Sequence, residues 1–236
     1  MPRGLAIETS GRISSVAIVE DGRVLGEDQF PHGLQHAAEI IPRIDRLCRS
    51  HDWAPADLRE LYVSAGPGSF TGLRIGITLA KTLALATGAK IVAVPSVRVL
   101  ARNAPAEATD LVIVLDAKRD QIFTARFARM NDQWLEREPA HLDDLISMLA
   151  RAPRPVWLLG EGIPSHKKFI PTDDSGIIVC APELWQPHAS ATAQEGIALA
   201  AQGHFSDPDR LTPIYIRVPE AQEVWDKKHA AAQREG

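Results

Sequence analysis

Residues 61–86 read LYVSAGPGSFTGLRIGITLAKTLALA, the strongest structural signal in the chain. The apolar run at 61–65 predicts a short strand, and the glycine-rich residues 66–71 predict a tight turn. A long helix should follow, with Thr71 as its N-cap, because a threonine hydroxyl can accept a free N–H of the first turn. The stretch therefore predicts a strand, a turn and a helix in direct succession.

Small residues recur along the predicted helix at every fourth position, at Gly72, Gly76, Ala80 and Ala84. They form one stripe, on which another backbone can approach closely. Each glycine inside a helix costs about 1 kcal/mol relative to alanine, and close packing of a second helix is expected to offset that cost. Most other positions are apolar as well, which indicates a helix buried on more than one side. One side can face its own sheet, and the other needs a cover from this chain or from a partner.

The glycine-rich turn matches neither of the common phosphate-binding motifs. No Gly-Lys-Ser/Thr closes it, as a Walker A loop requires, and Gly66, Gly68 and Gly72 are spaced one residue too far apart for the dinucleotide fingerprint. A strand-to-helix turn still presents N–H groups and a positive helix end to anions. Two interpretations stay open: a phosphate site, or a tight turn that only caps the helix.

The composition is ordinary for a globular protein, with 45% hydrophobic and 24% charged residues in 236 positions. This length accommodates one large domain or two of about 100 residues each. A net charge of −4 gives no overall electrostatic footprint for nucleic acid, so RNA contact would have to be local or supplied by a partner. Cys48 and Cys180 are isolated, and no signal peptide or membrane-length apolar run is recognisable. We expect a cytoplasmic protein with no disulfide framework and no membrane contact.

Hydrophobic periodicity and turn signals predict the elements around residues 61–86. The expected strands lie at residues 4–9, 13–19, 23–30 and 90–94, and the expected helices at 32–50 and 96–102. Residues 103–109 are the expected boundary between an N-terminal lobe, 1–104, and a smaller C-terminal lobe, 105–236. In the C-terminal lobe we expect helices at 142–150 and 191–202, strands at 156–160 and 176–180, and an extended segment at 213–219.

The opening pattern of the chain recurs after this boundary. Residues 111–137, LVIVLDAKRDQIFTARFARMNDQWLER, repeat the order of strand, hairpin and strand in residues 5–27, LAIETSGRISSVAIVEDGRVLGE, and Asp116 stands where Glu8 stands. A repeated start of this kind, followed by α/β units, predicts a duplicated α/β architecture whose two similar lobes face a cleft.

Glu8 and Asp116 are the main candidates for chemistry, because the ends of corresponding strands could bring them face to face across the cleft. Paired acids of this kind hold Mg²⁺ with nucleotide phosphates or activate a water molecule. The alternative, that each acid caps a turn or pairs with a nearby Lys or Arg, stays open. His32 and His36 have the i,i+4 spacing of a metal pair, but no third ligand can be chosen from the sequence.

Three segments, taken in order, resemble the TsaB (YeaZ) family. They are LAIETS at residues 5–10, SAGPGSFTGLRIGITLAKTLA at 64–84 and PIYIRVPEA at 213–221, so the resemblance spans nearly the whole chain. It implies the duplicated fold of actin, hexokinase and Hsp70 (the ASKHA fold), in which each lobe is a mixed sheet flanked by helices. It also implies a role in making N6-threonylcarbamoyladenosine (t6A) at position 37 of tRNAs. In that family's system TsaD is the transferase, TsaB its non-catalytic partner and TsaE a P-loop ATPase.

The chain departs from the catalytic TsaD pattern where that enzyme has an H-x-E-G-H segment. Residues 94–100 read VPSVRVL, with Ser96 and Leu100 at the positions of the two histidines, and neither side chain can replace an imidazole ligand. The resemblance therefore implies no catalytic residue, no metal and no cofactor beyond weak ADP or ATP binding in a vestigial nucleotide cleft. The implied cleft residues are Glu8, Thr9, Ser10, Gly66, Gly68, Ser69 and Asp116. The alternative is an active enzyme of the same fold, an M22-like metallopeptidase (glycoprotease) or a small ATP-binding enzyme.

The resemblance also gives the small-residue stripe a use, because the family pairs through its first two long helices. We expect these helices to form one surface for a homodimer and for a TsaD-like subunit. A TsaE-like ATPase and tRNA would join through the complex. The implied interface residues are Leu34, Ala38, Ile41, Arg43, Gly72, Leu73, Gly76, Ile77, Ala80 and Ala84.

Overall fold

The computed structural model describes residues 2–31, 36–131 and 133–216, with side chains of the first helix from residue 39 onward. The N-terminal elements are β1 (Gly4–Glu8), β2 (Ile13–Glu20), β3 (Arg23–Pro31), α1 (His36–Arg49), β4 (Glu60–Gly66), α2 (Phe70–Thr87), β5 (Lys90–Pro95) and α3 (Ser96–Ala101). The C-terminal elements are β6 (Asp110–Asp116), β7 (Ile122–Met130), β8 (Gln133–Asp143), α4 (Leu145–Arg151), β9 (Val156–Leu159), α5 (Ile163–His166), β10 (Ile177–Val179) and α6 (Ala189–Ala201). None of the helices in these ranges combines the length and the hydropathy that crossing a bilayer requires.

The strands form two five-stranded sheets with the same topology, in the orders β3-β2-β1-β4-β5 and β8-β7-β6-β9-β10. In each sheet the first three strands in the chain pair antiparallel, and the last two join the sheet in parallel. The predicted duplicated α/β architecture with two lobes is therefore confirmed. Glu8 and Asp116 are the last residues of the corresponding strands β1 and β6.

Helices cover both faces of the first sheet. Leu5 and Ile7 of β1 point to one face, where they join Ile40 of α1 and Ile77 of α2 in one apolar cluster. Ala6 points to the opposite face, which α6 covers. Because side chains alternate along a strand, the apolar run of β1 supplies both layers, as a strand buried on both faces must.

The end of the described chain returns to the first sheet. Helix α6 packs on β1, β2, β4 and β5, and Gly196 permits the contact, since a Cβ there would lie 2.4 Å from Cδ1 of Tyr62. Further on, the amide of Ile214 donates to the carbonyl oxygen of Ala65 at 2.7 Å. Residues 189–214, which the sequence assigns to the second lobe, thus pack on the first.

Two local predictions are wrong. Ser69 and not Thr71 caps α2, because the helix begins at Phe70 and Ser69 Oγ accepts a hydrogen bond from the amide of Gly72 at 3.2 Å. The helix expected at residues 142–150 begins only at 145, because β8 continues to 143 and Asp144 then caps the helix. The expected start of α1 at residue 32 and the end of the extended segment at 217–219 lie outside the described residues.

The small-residue stripe of α2 faces the chain's own first sheet, so the prediction that it packs on a second helix is wrong. Gly72, Gly76, Ala80 and Ala84 are buried, and a Cβ at Gly76 would come within 2.4 Å of Oγ1 of Thr9. The small residues therefore let the helix approach β1. On the opposite face Leu85 is 90% exposed, so no element of the described chain covers it there and a cover from a partner stays a prediction.

Candidate functional site

The carboxylate of Glu8 points into the protein at the end of β1. It is fully buried, and its Oε1 accepts hydrogen bonds from the amide of Ser10 at 2.7 Å and the hydroxyl of Ser10 at 2.6 Å. Its Oε2 accepts a hydrogen bond from Oγ1 of Thr192 on α6 at 2.8 Å. Glu8 thus caps the β1–β2 turn and joins it to α6, which is one of the alternatives left open by the sequence.

The glycine-rich turn lies directly against the β1–β2 turn. The amide of Ser69 donates to the carbonyl oxygen of Ser10 at 2.7 Å, and a Cβ at Gly68 would come within 2.5 Å of that oxygen. Gly66 has a φ of +109°, a conformation that side chains rarely tolerate. The structure therefore brings Glu8, Thr9, Ser10, Gly66, Gly68 and Ser69 together, and it uses the amide of Ser69 for internal packing.

Asp116 occupies the corresponding position in the second lobe but has a different environment. Its side chain is exposed, its Oδ1 accepts from the amide of Lys118 at 3.0 Å, and it lies 3.2 Å from Nε2 of the buried His166. Lys118, Arg119 and Asp120 all have positive φ, whereas none of residues 9–12 in the counterpart turn does. Asp116 caps its own turn, and it shares no partner with Glu8 among the described contacts.

Glu161 of the second lobe closes the β1–β2 turn, and it was not among the residues predicted from the sequence. Its two carboxylate oxygens lie 2.9 and 3.1 Å from the amide nitrogen of Arg12, which donates to them. Burial raises the pKa of Glu161, while the hydrogen bonds from Arg12 and Gln186 act in the opposite direction. Beside it Pro187 packs on Gly11, where a Cβ would lie 2.7 Å from Cδ of the proline. Turn amides can bind anions such as phosphates, and here the amide of Arg12 is bonded to a carboxylate of the chain itself.

The sequence did carry a signal for Glu161. It stands between Gly160 and Gly162 directly after a strand, and Gly160 has a φ of +136°. A Cβ at Gly160 would lie only 2.4 Å from the carbonyl oxygen of Val114, so glycine is needed for the close approach of this loop to β6. Because both glycines pack closely on β6, the direction of the Glu161 side chain between them is fixed. The hydrogen bonds of Glu161 with the amide of Arg12 in the other lobe require this direction.

The positions that match the TsaD histidines serve packing in this chain. Ser96 Oγ accepts from the amide of Gly66 at 3.2 Å, and Leu100 is buried in the core beside the second sheet. Across the described residues no three side chains of His, Cys, Asp or Glu converge in a way that could hold a metal ion. His32 and the side chain of His36 are outside what the structure describes.

The outer face of α1 and α2 differs from the predicted partner interface. Six of the predicted residues are buried in the monomer and cannot form a docking surface: Gly72, Leu73, Gly76, Ile77, Ala80 and Ala84. Arg43 forms ion pairs within the chain: its guanidinium nitrogens lie 2.7 Å from Oδ1 of Asp28 and 3.0 Å from Oε2 of Glu39. Ile41 is 60% exposed, as an interface residue should be. Leu34 and the side chain of Ala38 are outside the described residues.

Two exposed apolar residues on α2 were not among the predicted interface residues. Leu85 is 90% exposed and Phe70 is 39% exposed. The periodicity of an almost wholly apolar helix did not reveal which face is turned outward, because both faces are apolar in sequence. The contact of Gly76 with β1 fixes the orientation of the helix and leaves Leu85 outside.

Comparisons with known proteins connect this geometry to a family. A family model described as TsaD, tRNA N6-adenosine threonylcarbamoyltransferase, matches residues 33–155, just over half of the chain. The Bacillus subtilis protein named tRNA threonylcarbamoyladenosine biosynthesis protein TsaB is 33% identical over 94% of this chain and 96% of its own length. The chain belongs to the TsaB family. The Escherichia coli protein of the same name is 26% identical over 91% of this chain and 94% of its own length.

A solved structure agrees with this membership at the level of the fold. YeaZ from Pseudomonas aeruginosa aligns with a TM-score of 0.78 over 91% of this chain and all of that chain, at 23% identity. The two mixed sheets with flanking helices are thus the fold of that YeaZ structure.

The three sequence segments that resemble the TsaB family meet at one place in this fold, the third as far as residue 216, where its described part ends. The first and second meet where Ser69 donates to Ser10, and the third lies against the second, with Ile214 bonded to Ala65. Beside that bond the hydroxyl of Tyr215 accepts from Nε of Arg74 at 3.0 Å, and the rings of Tyr215 and Phe70 are 5.3 Å apart. Segments that are far apart in the chain of this TsaB-family protein therefore form one structural unit.

Proposed function

We propose that this chain is a non-catalytic subunit that binds and supports a TsaD-like transferase in the t6A modification of tRNA. The observation that carries the proposal is the nearly full-length match to the Bacillus subtilis protein, whose name assigns it to tRNA threonylcarbamoyladenosine biosynthesis. A full-length match supports the same role in the pathway, because both lobes and their connections are shared.

The environment of the cleft supports a non-catalytic role. The carboxylate of Glu8 accepts three internal hydrogen bonds, so it has little capacity left for a metal ion or a reacting water molecule. Ser96 and Leu100 are buried where the catalytic relative has its histidines. We expect the purified chain alone to have no threonylcarbamoyl transfer and no peptidase activity, whereas turnover by a preparation free of TsaD would overturn this part of the proposal.

The outer face of α1 and α2 is the proposed docking surface for the TsaD-like subunit. Ile41 and Leu85 expose large apolar side chains on two helices that cover the same face of the first sheet. Burying such side chains against a partner is favourable by roughly 1.5–3 kcal/mol each. The same surface is proposed for the homodimer, so the homodimer and the complex with the transferase would compete. A TsaE-like ATPase and tRNA would be recruited through that complex.

The experiment is co-purification with the TsaD-like subunit. Ile41→Glu and Leu85→Glu should each reduce complex formation at least tenfold, because each places a charge in an apolar contact. Ile146→Glu is the matched control, since Ile146 is 59% exposed on α4 of the second lobe. All three variants should keep the thermal stability of the parent. Normal complex formation by both α1 and α2 variants would overturn the docking surface, and an equal loss in Ile146→Glu would show a non-specific effect of charge.

The same proposal includes a cleft that binds ADP or ATP only weakly in the parent chain. The Glu161 carboxylate on the Arg12 amide would repel and displace a phosphate at that turn. We expect Glu161→Ala to bind ADP more tightly than the parent in calorimetric titration. Weaker ADP binding by this variant would mean that Glu161 assists a nucleotide instead of excluding it, and would favour the alternative of an ATP-binding enzyme.

We also propose a cytoplasmic location without membrane contact. Cys48 and Cys180 are both free and buried, as is usual in a reducing compartment. Fractionation of cells that express the chain tests the proposal, and a membrane-bound or exported pool would contradict it.

A further inference from the structure

A polar cavity of about 430 Å³ lies between α3, α6 and strands β7 and β8, away from the cleft and from the outer face of α1 and α2. Its charged and aromatic lining consists of Arg98, Arg102, Phe127, Arg129, Trp134 and Glu195. The volume lies in the range of small-molecule sites, about 300–1,000 Å³. Nothing in the proposed function makes use of this cavity.

The cavity concentrates positive charge on a chain whose net charge is −4. Three arginines line it against one glutamate, which leaves a formal charge of +2. Oε1 of Glu195 accepts a hydrogen bond from Nε of Arg102 at 2.7 Å, and its Oε2 lies 3.5 Å from Nε of Arg98. One carboxylate is therefore shared by two guanidinium groups. No hydrogen bond within the described part of the chain uses the terminal nitrogens of either arginine, and planar guanidinium groups held in this way suit the oxygens of a phosphate.

Arg129 and Trp134 form the aromatic wall of the cavity. The guanidinium carbon of Arg129 lies 4.6 Å from the centre of the Trp134 ring. Arg129 also donates to the carbonyl oxygens of Ala106 at 2.8 Å and Pro105 at 3.2 Å. These acceptors are neutral, and no carboxylate among the described residues pairs with Arg129, so its charge stays uncompensated. Aromatic rings and guanidinium planes are the surfaces on which nucleic-acid bases stack.

We propose that this cavity binds one nucleotide unit, with its phosphate on Arg98 and Arg102 and its base against Arg129 and Trp134. Gln133 and Gln194 also line the cavity and supply amide groups for the edge of the base. The unit is either a free mononucleotide or one nucleotide of a single-stranded RNA, since both present the same phosphate and base. The proposal is independent of docking to a transferase subunit.

Titration of the purified full chain tests the proposal with four probes: AMP, adenosine, inorganic phosphate and the oligonucleotide pentaadenylate. Binding is measured by calorimetry and by quenching of tryptophan fluorescence, because a base on Trp134 should quench its emission. We expect AMP to bind at least about tenfold more tightly than adenosine or phosphate, since only AMP fills both halves of the cavity. Pentaadenylate that binds at least tenfold more tightly than AMP would identify an RNA strand as the ligand, and equal affinity would identify the free nucleotide.

The double variant Arg98→Gln and Arg102→Gln should weaken AMP binding at least about tenfold. The matched control is the double variant Arg46→Gln and Arg210→Gln, which removes the same charge from side chains that are 70% and 89% exposed elsewhere. Arg102→Gln alone is the second test if the double variant does not fold. The proposal is overturned if neither AMP nor pentaadenylate binds saturably, if the cavity variants bind as the parent does, or if the control variant loses affinity equally.

Discussion

The turn that follows β1 and the turn that follows β6 are copies of one structural element, yet the acid at their start serves two different purposes. Glu8 is fully buried and accepts hydrogen bonds from its own turn and from Thr192. Asp116 is exposed and accepts from Lys118 in its own turn. The same topology thus supports a buried junction between distant parts of the chain in one lobe and a local turn cap in the other.

The difference arises from what packs on each turn. The glycine-rich turn, α6 and Glu161 all contact the β1–β2 turn, so its polar groups are bonded to the protein and removed from water. The β6–β7 turn contacts its own backbone, His166, and Lys168, whose Nζ lies 2.9 Å from Oδ1 of Asp120. An acid at the end of a strand therefore indicates a cleft residue only if the neighbouring elements leave it accessible. Four predictions test how far the two turns differ.

The largest effect is expected from Gly76→Leu, which would force a side chain into Thr9 beside the β1–β2 turn. A Cβ alone would lie 2.4 Å from Thr9 Oγ1, so the helix must move away from β1. We expect a loss of about 3 kcal/mol or more in the free energy of unfolding, measured in urea. Ala86→Leu on the exposed face of the same helix is the control and should change it by less than about 0.5 kcal/mol. Equal stability of the two variants would show that α2 does not fix this turn.

Removal of the Glu8 carboxylate should have the next largest effect. Glu8→Ala leaves the amide and the hydroxyl of Ser10 buried without this acceptor, and the Thr192 hydroxyl keeps only the carbonyl oxygen of His188, so we expect a loss of about 3 kcal/mol. Glu8→Gln should lose less than about 1 kcal/mol, because its oxygen can accept from Ser10 while its amide donates to the Thr192 hydroxyl. If Glu8→Gln keeps its stability but abolishes t6A formation in a reconstituted complex, Glu8 has a chemical role and the structural interpretation fails.

The corresponding change in the second lobe should matter much less. Asp116→Ala removes a hydrogen bond from the Lys118 amide and the contact with His166, both at an exposed carboxylate. We expect a loss below about 1 kcal/mol in the free energy of unfolding. A loss as large as that of Glu8→Ala would remove the contrast between the two turns.

The smallest effect on the free energy of unfolding is expected at Glu161, and it depends on pH. Burial raises its pKa in the folded protein above the ordinary value of 4.5, so ionisation of Glu161 opposes folding at neutral pH. This penalty is relieved as the pH falls through the raised pKa and is absent below the ordinary value. Glu161→Gln lacks it at every pH. The stability of the variant relative to the parent should therefore be highest near pH 7 and decline towards pH 4, which unfolding in urea at several pH values would measure; a relative stability that rises on acidification would contradict this.

The sequence was sufficient to predict the strands and helices, but it was not sufficient to predict the contacts between them. Alternation and turn signals located β1 and β4 within one residue of their observed ends, because these features are local. The direction of Glu8 depends on Thr192, which is 184 positions away, and the role of Glu161 depends on Arg12, 149 positions away. No periodicity contains such information. Spacing correctly indicated a close approach at Gly76, but only the structure identifies β1 as the neighbour.

The return of α6 and residues 206–214 to the first sheet has a consequence for synthesis of the protein. The face of that sheet formed by Ala6, Tyr62 and Val92 is apolar, and α6 is what shields it. As the chain leaves the ribosome, this face stays exposed to water and to other nascent chains until α6, at residues 189–201, has emerged. The N-terminal half is thus expected to depend on chaperones while translation continues, and a chain that ends before residue 188 should aggregate instead of yielding a stable first lobe.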